Sequence, residues 1–287
     1  MTPASLRIAT RGSALALWQA NHVASLLRVD AELVVVDTTA DRRLDIPIEA
    51  MGGKGVFVKE VQAAVLDGRA DLAVHSAKDL PAATADGLVL AAVPERGDVR
   101  DALVGSTLAD LPEGGTVATG SQRRRVQLAE LRPDLRFEGL RGNMQTRLDK
   151  AAAFDAIVVA AVAFARLGLD DRLTEVLATD VLLPQVGQGA LAVECRADDG
   201  GARAALSAIE HAPSRRCVDA ERAFLAELGG DCTIPVGAYA RIDGVEVSMA
   251  GLLAGDDGQV HRVHGHDADG VQLGRELARE LLGRTTG

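Results

Sequence analysis

The sequence predicts an α/β fold with two similar lobes, mainly parallel sheets, and a smaller C-terminal α+β domain. Apolar strand patterns alternate with helical patterns from residue 6 to residue 167, and such alternation is typical of parallel sheets. Residues 7–19 and 116–127 share one order: strand, Ala-Thr, a small turn, Ser and a helix. The composition changes near residue 210, where a helix, a Gly-rich turn and alternating strands follow.

The first lobe begins with the apolar strand pattern LRIA, residues 6–9, followed by a helix that Ser13 caps. Three more elements are predicted in order: a buried strand at 31–38, a helix at 56–68 and a strand at 71–76. Residues 39–55 are polar and Gly-rich without a clear period, so we expect a mobile loop there.

The second lobe repeats this pattern of strands and helices. The predicted elements are strands at 116–119, 135–140 and 155–161, each followed by a helix, the first of which begins near Ser121 and the last of which ends at Leu167. Another strand pattern lies within 185–196. The C-terminal part has a helix from about Ser214, the turn GGDCTIPVG at 229–237, an antiparallel pattern over 239–268 and a final helix at 271–284.

Composition excludes several classes of protein. Hydrophobic residues make up 47% of the chain, yet no apolar run approaches the ~20 residues that cross a bilayer. The N-terminus lacks the pattern of a signal peptide, and the three cysteines are odd in number without CxxC spacing. We therefore expect a cytoplasmic protein without a disulfide framework. The net charge of −10 disfavours general binding to nucleic acids, which are themselves negatively charged.

One segment departs from this acidic character. Residues 119–150 hold eight bases and four acids, a net charge of +4, which leaves −14 for the rest of the chain. Such a segment is either a local site for a small polyanion or a solvated helix face.

Polar residues collect at the predicted carboxyl ends of the strands, where open α/β sheets bind ligands. Two helix N-termini and several arginine side chains there favour an anion with more than one carboxylate. The residues at these strand ends are Arg11, Ser13, Lys78, Asp79, Thr119, Ser121, Arg123, Arg124, Arg141 and Arg147.

Two residues in this set of patterns could carry chemistry. Asp79 is a carboxylate among bases that could stabilise a cation formed during reaction, although a helix cap or an ion pair with Lys78 explains it equally well. Cys232 lies in an exposed turn, where covalent chemistry is possible. Cys195 and Cys217 fit packing positions. GGKG, residues 52–55, fails the P-loop pattern, and HRVHGH, residues 261–266, is a weak metal motif, so we expect no metal.

Seven stretches together resemble the hydroxymethylbilane synthase family, whose members are also called porphobilinogen deaminases. These stretches occur in the family's order and cover nearly the whole chain. They are RIATRGSALALWQA, GGKGVFVKE, RADLAVHSAKDLP, RRRVQLAELRPDL, LRGNMQTRL, LPQVGQGALAVECR and DCTIPVGAYA.

The resemblance implies two lobes of the type II periplasmic-binding-protein kind and a third domain. The implied division is 1–95 with 186–207, then 96–185, then 208–287. It implies a transferase of haem and porphyrin biosynthesis, monomeric and cytoplasmic, which joins four porphobilinogen molecules head to tail, releases ammonia from each and frees hydroxymethylbilane by hydrolysis.

The resemblance also implies one covalent dipyrromethane cofactor per chain, attached to Cys232 by a thioether bond, and a catalytic role for Asp79. Lys78, Thr119, Ser121, Arg123, Arg124 and Arg141 match cofactor-binding positions. Arg11, Ser13, Lys54, Arg147, Arg166 and Gln188 match substrate-binding positions.

Three positions depart from the family pattern: Ala40 replaces a glycine in the first loop, Gly120 replaces a serine in the Thr-Ser-Ser turn, and Asp231 precedes the cofactor cysteine. A carboxylate beside the thiol disfavours thiolate formation. Two other readings are a non-catalytic two-lobed protein that binds a small polycarboxylate, and a transferase that uses Cys232 as a free nucleophile.

Overall fold

The computed structural model describes residues 5–39, 55, 57–229, 234–255 and 258–285. The strands in this part of the chain are β1 (Ser5–Arg11), β2 (Asp30–Val36), β3 (Leu72–Ser76), β4 (Leu88–Ala92), β5 (Asp101–Val104), β6 (Thr116–Ala118), β7 (Arg136–Glu138), β8 (Ala156–Ala160), β9 (Glu175–Val176), β10 (Leu191–Arg196), β11 (Val236–Asp243), β12 (Glu246–Ala254) and β13 (Val260–Asp267). The helices are α1 (Ala14–Leu27), α2 (Lys59–Leu66), α3 (Gln122–Leu131), α4 (Met144–Ala151), α5 (Ala161–Leu167), α6 (Gly200–Leu206), α7 (Ala212–Glu227) and α8 (Gly270–Thr285).

The first two sheets share one topology. Their strand orders are β2-β1-β3-β10-β4 and β7-β6-β8-β5-β9. In each sheet the first three strands of this order are parallel. The fourth strand, β10 or β5, is the first one formed after the chain crosses over from the other lobe. It runs antiparallel to both of its neighbours. Two similar α/β lobes with parallel strands are therefore present, as the sequence predicts.

The repeated strand–turn–helix segments occupy equivalent positions in the two lobes. Ser13 and Ser121 have extended backbones, and their hydroxyls accept hydrogen bonds from the backbone N–H groups of Ala16 and Arg124. Each helix therefore begins directly after the second strand of its sheet, β1 or β6. Both predicted N-caps are confirmed.

The C-terminal part forms an antiparallel sheet, β11-β12-β13, against which helices α7 and α8 pack. Its core centres on Phe224 and Met249, and Cys217 is buried in it. Cys195 is buried in the core of the first lobe, so both cysteines have the packing role that the sequence predicts.

Several elements differ from the sequence prediction. Strands β4, β5 and β9 and helix α6 were not predicted, and the strand expected within 185–196 begins only at Leu191 and runs antiparallel. Most of the expected loop at 39–55, with Ala40, lies outside the described residues, as does much of the turn at 229–237. No described helix is both long and apolar enough to cross a bilayer.

Candidate functional site

Lys78 and Asp79 lie on a short 3-10 turn, Ala77–Asp79, directly after strand β3. Ser76 ends the strand with an extended backbone, and its Oγ accepts a hydrogen bond from Gln19 Nε2 on helix α1 at 2.8 Å. This contact fixes the strand end to the first helix. His75, by contrast, is buried beside Glu194, with 3.2 Å between Nε2 and Oε2.

Lys78 connects this turn to the second crossover, the segment between β9 and β10 that returns the chain to the first lobe. Its Nζ donates to Gln188 Oε1 at 3.3 Å, and its carbonyl accepts from Gln185 Nε2 at 3.2 Å. Burial, followed by the positive charge of Arg124, lowers the pKa of Lys78 to about 8. The structure thus brings together two predicted site residues, Lys78 and Gln188.

Asp101, which the sequence analysis missed, lies at the centre of the site. Its carboxylate is fully buried at the start of β5 and accepts hydrogen bonds from Arg124 and Gln188. Arg123 Nη2 forms an ion pair with the other oxygen at 2.8 Å. Burial raises the pKa of Asp101, but the charges of Arg123 and Arg124 outweigh it and hold the pKa well below its ordinary value.

The ion pairs with Asp101 give Arg123 and Arg124 a structural role inside the protein. Arg123 and Arg124 are both buried, and Arg123 Nη1 and Arg124 Nη1 donate to the carbonyls of Leu183 and Val158 at 2.6 and 2.9 Å. Much of their donor capacity therefore goes to the protein itself. The sequence offers one signal for Asp101: two adjacent arginines in a buried helix need a nearby counterion.

The N-terminus of α3 forms a polar corner beside these arginines. Thr119 Oγ1 accepts a hydrogen bond from the N–H of Ser121 at 3.2 Å. A side chain at Gly120 would place its Cβ 2.8 Å from the carbonyl oxygen of Leu140. The departure from a serine at this position therefore matches the close approach of two backbones in this chain.

Arg141 and Arg147 lie at the start of α4, which Asn143 caps. Arg141 Nη1 is buried and has no hydrogen-bond partner among the described residues. Arg147 Nε donates to the Gly142 carbonyl at 3.0 Å. Burial, then the charge of Arg124, lowers the pKa of Arg147 to about 10, while Asp79 opposes this effect. Asp79 and Arg147 therefore lie within electrostatic reach of each other.

The remaining predicted residues have contacts elsewhere or lie outside the described residues. The Arg11 guanidinium lies 4.6 Å from the centroid of the Phe57 ring, and Arg166 Nη2 donates to the Gly189 carbonyl at 2.7 Å. Lys54 and Cys232 lie outside the described residues, as does Asp231. Within the part of the chain that the structure describes, no three His, Cys, Asp or Glu side chains form a potential metal site.

A second buried carboxylate, Glu221 on α7, joins the two crossover segments between the lobes to the C-terminal domain. Arg96 donates to both of its oxygens, at 2.7 and 3.0 Å. The backbone N–H groups of Gly187 and Ala240 also donate to it, at 2.7 and 2.8 Å. Glu221 therefore contacts both crossover segments and strand β11. The sequence analysis did not identify this residue.

These contacts define the cationic cluster: Lys78, Arg123, Arg124, Arg141 and Arg147, with Asp79 at its edge and Asp101 buried beneath it. Asp101 compensates part of the positive charge, and the buried nitrogen of Arg141 is left without a partner. Several desolvated cations near one half-buried carboxylate can bind an anion with more than one carboxylate.

Comparison with known proteins agrees along the chain. Residues 6–204 match the family model "Porphobilinogen deaminase, dipyromethane cofactor binding domain", and residues 215–283 match "Porphobilinogen deaminase, C-terminal domain". A porphobilinogen deaminase from Acidithiobacillus ferrooxidans is 47% identical, with 98% of this chain and 95% of the relative covered. One from Trichlorobacter lovleyi is 43% identical, with 98% and 94% covered. The chain belongs to the porphobilinogen deaminase family.

Proposed function

We propose that the cationic cluster is where this chain performs the reaction of its family, that of hydroxymethylbilane synthase. In this reaction four porphobilinogen molecules are joined head to tail, ammonia leaves each, and hydrolysis frees the linear product. The family match over both parts of the chain carries the activity. The position of Asp79 among desolvated cations supports the location.

The residues of the cluster fit the family's dipyrromethane cofactor, which carries acetate and propionate side chains. The buried and unpartnered Nη1 of Arg141 is the observation that supports this fit, because such a donor gains a hydrogen bond when a carboxylate arrives. Cys232 would hold the group through its sulfur, and Lys78, Thr119, Ser121, Arg123, Arg124 and Arg141 would bind it. When bound, the cofactor supplies the free pyrrole carbon to which the first substrate unit is joined.

Asp79 has the role of stabilising positive charge on the reacting ring. Loss of ammonia from porphobilinogen leaves an electron-poor methylene-pyrrole cation. A carboxylate that accepts the pyrrole N–H stabilises this cation, and it does so most strongly where water is excluded. The short turn after β3 holds Asp79 in place because two residues just before it, Ser76 and Lys78, are bonded to Gln19 and Gln188.

The cations around Asp79 bind the carboxylates of substrate and growing chain. Arg147 and Arg166 have been desolvated by folding, since burial is the first cause that lowers the pKa of each to about 10. Charge-assisted hydrogen bonds to such groups are strong. We assign substrate binding to Arg11, Ser13, Lys54, Arg147, Arg166 and Gln188.

We propose three units: residues 1–95 with 186–207, residues 96–185, and residues 208–287. The first strand after each crossover, β5 and β10, belongs to the lobe that the chain has just entered, which supports these boundaries. We also propose that the enzyme is a cytoplasmic monomer. Light scattering of the purified protein tests the oligomeric state.

The intact mass of the purified protein tests the cofactor and its attachment together. Protein from cells that make porphobilinogen should carry a stable excess of two pyrrole units, and Cys232→Ser should lack it. A Cys217→Ser variant is the matched control, because that buried thiol should not carry the group. An unmodified mass with a free Cys232 would contradict the proposal.

The same measurement separates the other two functions. A non-catalytic binding protein for polycarboxylates would show no excess mass and no ammonia release. A transferase with a free catalytic thiol would show a titratable Cys232 in the unmodified chain. Release of one ammonia for each porphobilinogen consumed supports the synthase.

A further inference from the structure

Trp18 and Arg166 form a contact between the two lobes. Trp18 lies on α1, which packs on the first sheet, and Arg166 lies on α5, which follows strand β8 of the second sheet. The guanidinium carbon lies 5.5 Å from the centroid of the indole ring, within the ~6 Å that characterises cation–π pairs. The two helices also pack against each other.

Arg166 is a desolvated cation that the protein leaves without an opposing charge. Its Nη2 donates to the Gly189 carbonyl at 2.7 Å, but among the described residues no carboxylate forms an ion pair with it, and burial is the cause that lowers its pKa. A carbonyl and an aromatic face therefore hold the guanidinium. Gly189 directly follows Gln188, which accepts the hydrogen bond from Lys78.

The indole ring is itself fixed on its own helix. His22, one turn further along α1, stacks on it with 4.8 Å between ring centroids and 14° between planes. The neighbouring Gln19 donates to Ser76, two residues before Lys78. The ring is thus tied to the turn that carries Asp79, while the cation that it contacts belongs to the other lobe.

We propose that Trp18 is a positioning residue, which holds the Arg166 guanidinium beside Gly189 of the second crossover, where the guanidinium receives a carboxylate of the substrate. This inference rests on the proposed substrate-binding role of Arg166. A flexible arginine that is already ordered loses less side-chain entropy on binding, so its positioning acts on affinity. Since Trp18 touches no reacting group in this scheme, its effect should fall on KM and leave kcat unchanged.

Two substitutions of the ring test this role in the complete, cofactor-loaded enzyme. Trp18→Met fills the space without a π face and should raise KM for porphobilinogen about three- to tenfold, with kcat changed less than about twofold. Trp18→Phe keeps an aromatic face and should stay within about twofold of the wild-type KM. A Trp18→Met enzyme with wild-type KM, or one that loses kcat in place of affinity, overturns the proposal.

A double-mutant cycle with Arg166→Leu tests separately whether Arg166 binds substrate and whether Trp18 acts through Arg166. If Arg166 binds substrate, Arg166→Leu alone raises KM, and a normal KM in that variant contradicts the role of Arg166 itself. If Trp18 acts through Arg166, adding Trp18→Met to Arg166→Leu has no further effect on KM. An additive effect would show that Trp18 acts by another route and would overturn its positioning role.

Discussion

Arg124 donates two hydrogen bonds, from Nε and Nη2, to a single carboxylate oxygen of the buried Asp101, at 3.1 and 2.6 Å. Arg123 pairs with the second oxygen. Because α3 carries both arginines and β5 is the first strand after the crossover into the second lobe, these ion pairs join the helix to that strand. The two arginines are held in position by the protein itself, before a ligand arrives.

Asp101→Asn should destabilise the enzyme strongly. Removing one partner of a buried ion pair leaves uncompensated charge and costs about 3–5 kcal/mol, here from two guanidinium groups. Urea unfolding measures the change. Asp67→Asn is the matched control, because Asp67 pairs with Arg69 at the exposed surface and its loss should leave the midpoint nearly unchanged.

The effect of Asp101→Asn should persist over a wide range of pH. The folded-state pKa of Asp101 is lowered, so its stabilising contribution is present above the unfolded value of about 3.9 and is lost only as the pH falls through the folded value. The wild type and the variant should therefore differ equally at pH 5 and pH 8. A difference that vanishes at pH 5 would contradict this account.

Lys78 should titrate near pH 8 when the cluster holds no ligand, because burial and the charge of Arg124 lower its pKa to about 8. Competitive acetylation followed by peptide mass spectrometry measures this value in Cys232→Ser. In the loaded wild type, nearby carboxylates should raise the pKa. A midpoint above 10 in Cys232→Ser would show that Lys78 is not desolvated.

The same shift has a consequence for stability. A lysine with a lowered folded-state pKa binds fewer protons folded than unfolded, so it destabilises the chain fully below about pH 8. That penalty disappears as the pH rises from about 8 to the unfolded value of about 10.4. Lys78→Met should lack this rise, so the unfolding free energy of the wild type should increase relative to that of Lys78→Met over this pH range.

Asp79→Asn should fold and bind porphobilinogen yet lose turnover. Removing one preorganised electrostatic contact to a transition state costs about 10²- to 10³-fold in kcat. Single-turnover assays measure the chemical step, and equilibrium binding measures affinity. Asp86→Asn, an exposed carboxylate seven residues later, is the control. Near-normal product formation by Asp79→Asn would remove this residue from the mechanism.

Arg141→Leu should weaken substrate or cofactor binding with little effect on stability. A buried donor without a partner costs about 1–3 kcal/mol, so removing the unpartnered Nη1 relieves a penalty in the ligand-free chain. Arg136→Leu, on the exposed face of β7, is the control. A large fall in Tm of Arg141→Leu would indicate that Arg141 has a structural role.

The strand–turn–helix repeat could be predicted because its signals are local. A short apolar strand, a small turn and a capping serine occur within a dozen residues, and the structure confirms Ser13 and Ser121 as caps. Strands β4, β5 and β9 were missed because none of them is followed by an α-helix before the next strand, so they fall outside the strand–helix alternation on which the prediction rested. Their pairing also depends on a crossover between lobes, which leaves no local period.

The arginine surplus indicated either a site for a polyanion or a solvated helix face, and the structure brings Arg124, Arg141 and Arg147 close together. Their counterion was missed because Asp101 lies 22 residues before Arg123 along the chain, and no spacing rule connects them. Glu221 was missed for the same reason, since its four donors come from three distant segments. Buried counterions become visible only when the chain is folded.

The contacts of Glu221 also join parts of the chain that are distant in sequence. The two crossover segments between the lobes are bonded to each other through the N–H of Gly97 and the carbonyl of Gly189. Glu221 accepts hydrogen bonds from both segments and from β11, so the C-terminal domain is fixed to the chain where it passes between the lobes. A single buried carboxylate thereby holds together three stretches of the chain that lie far apart in the sequence.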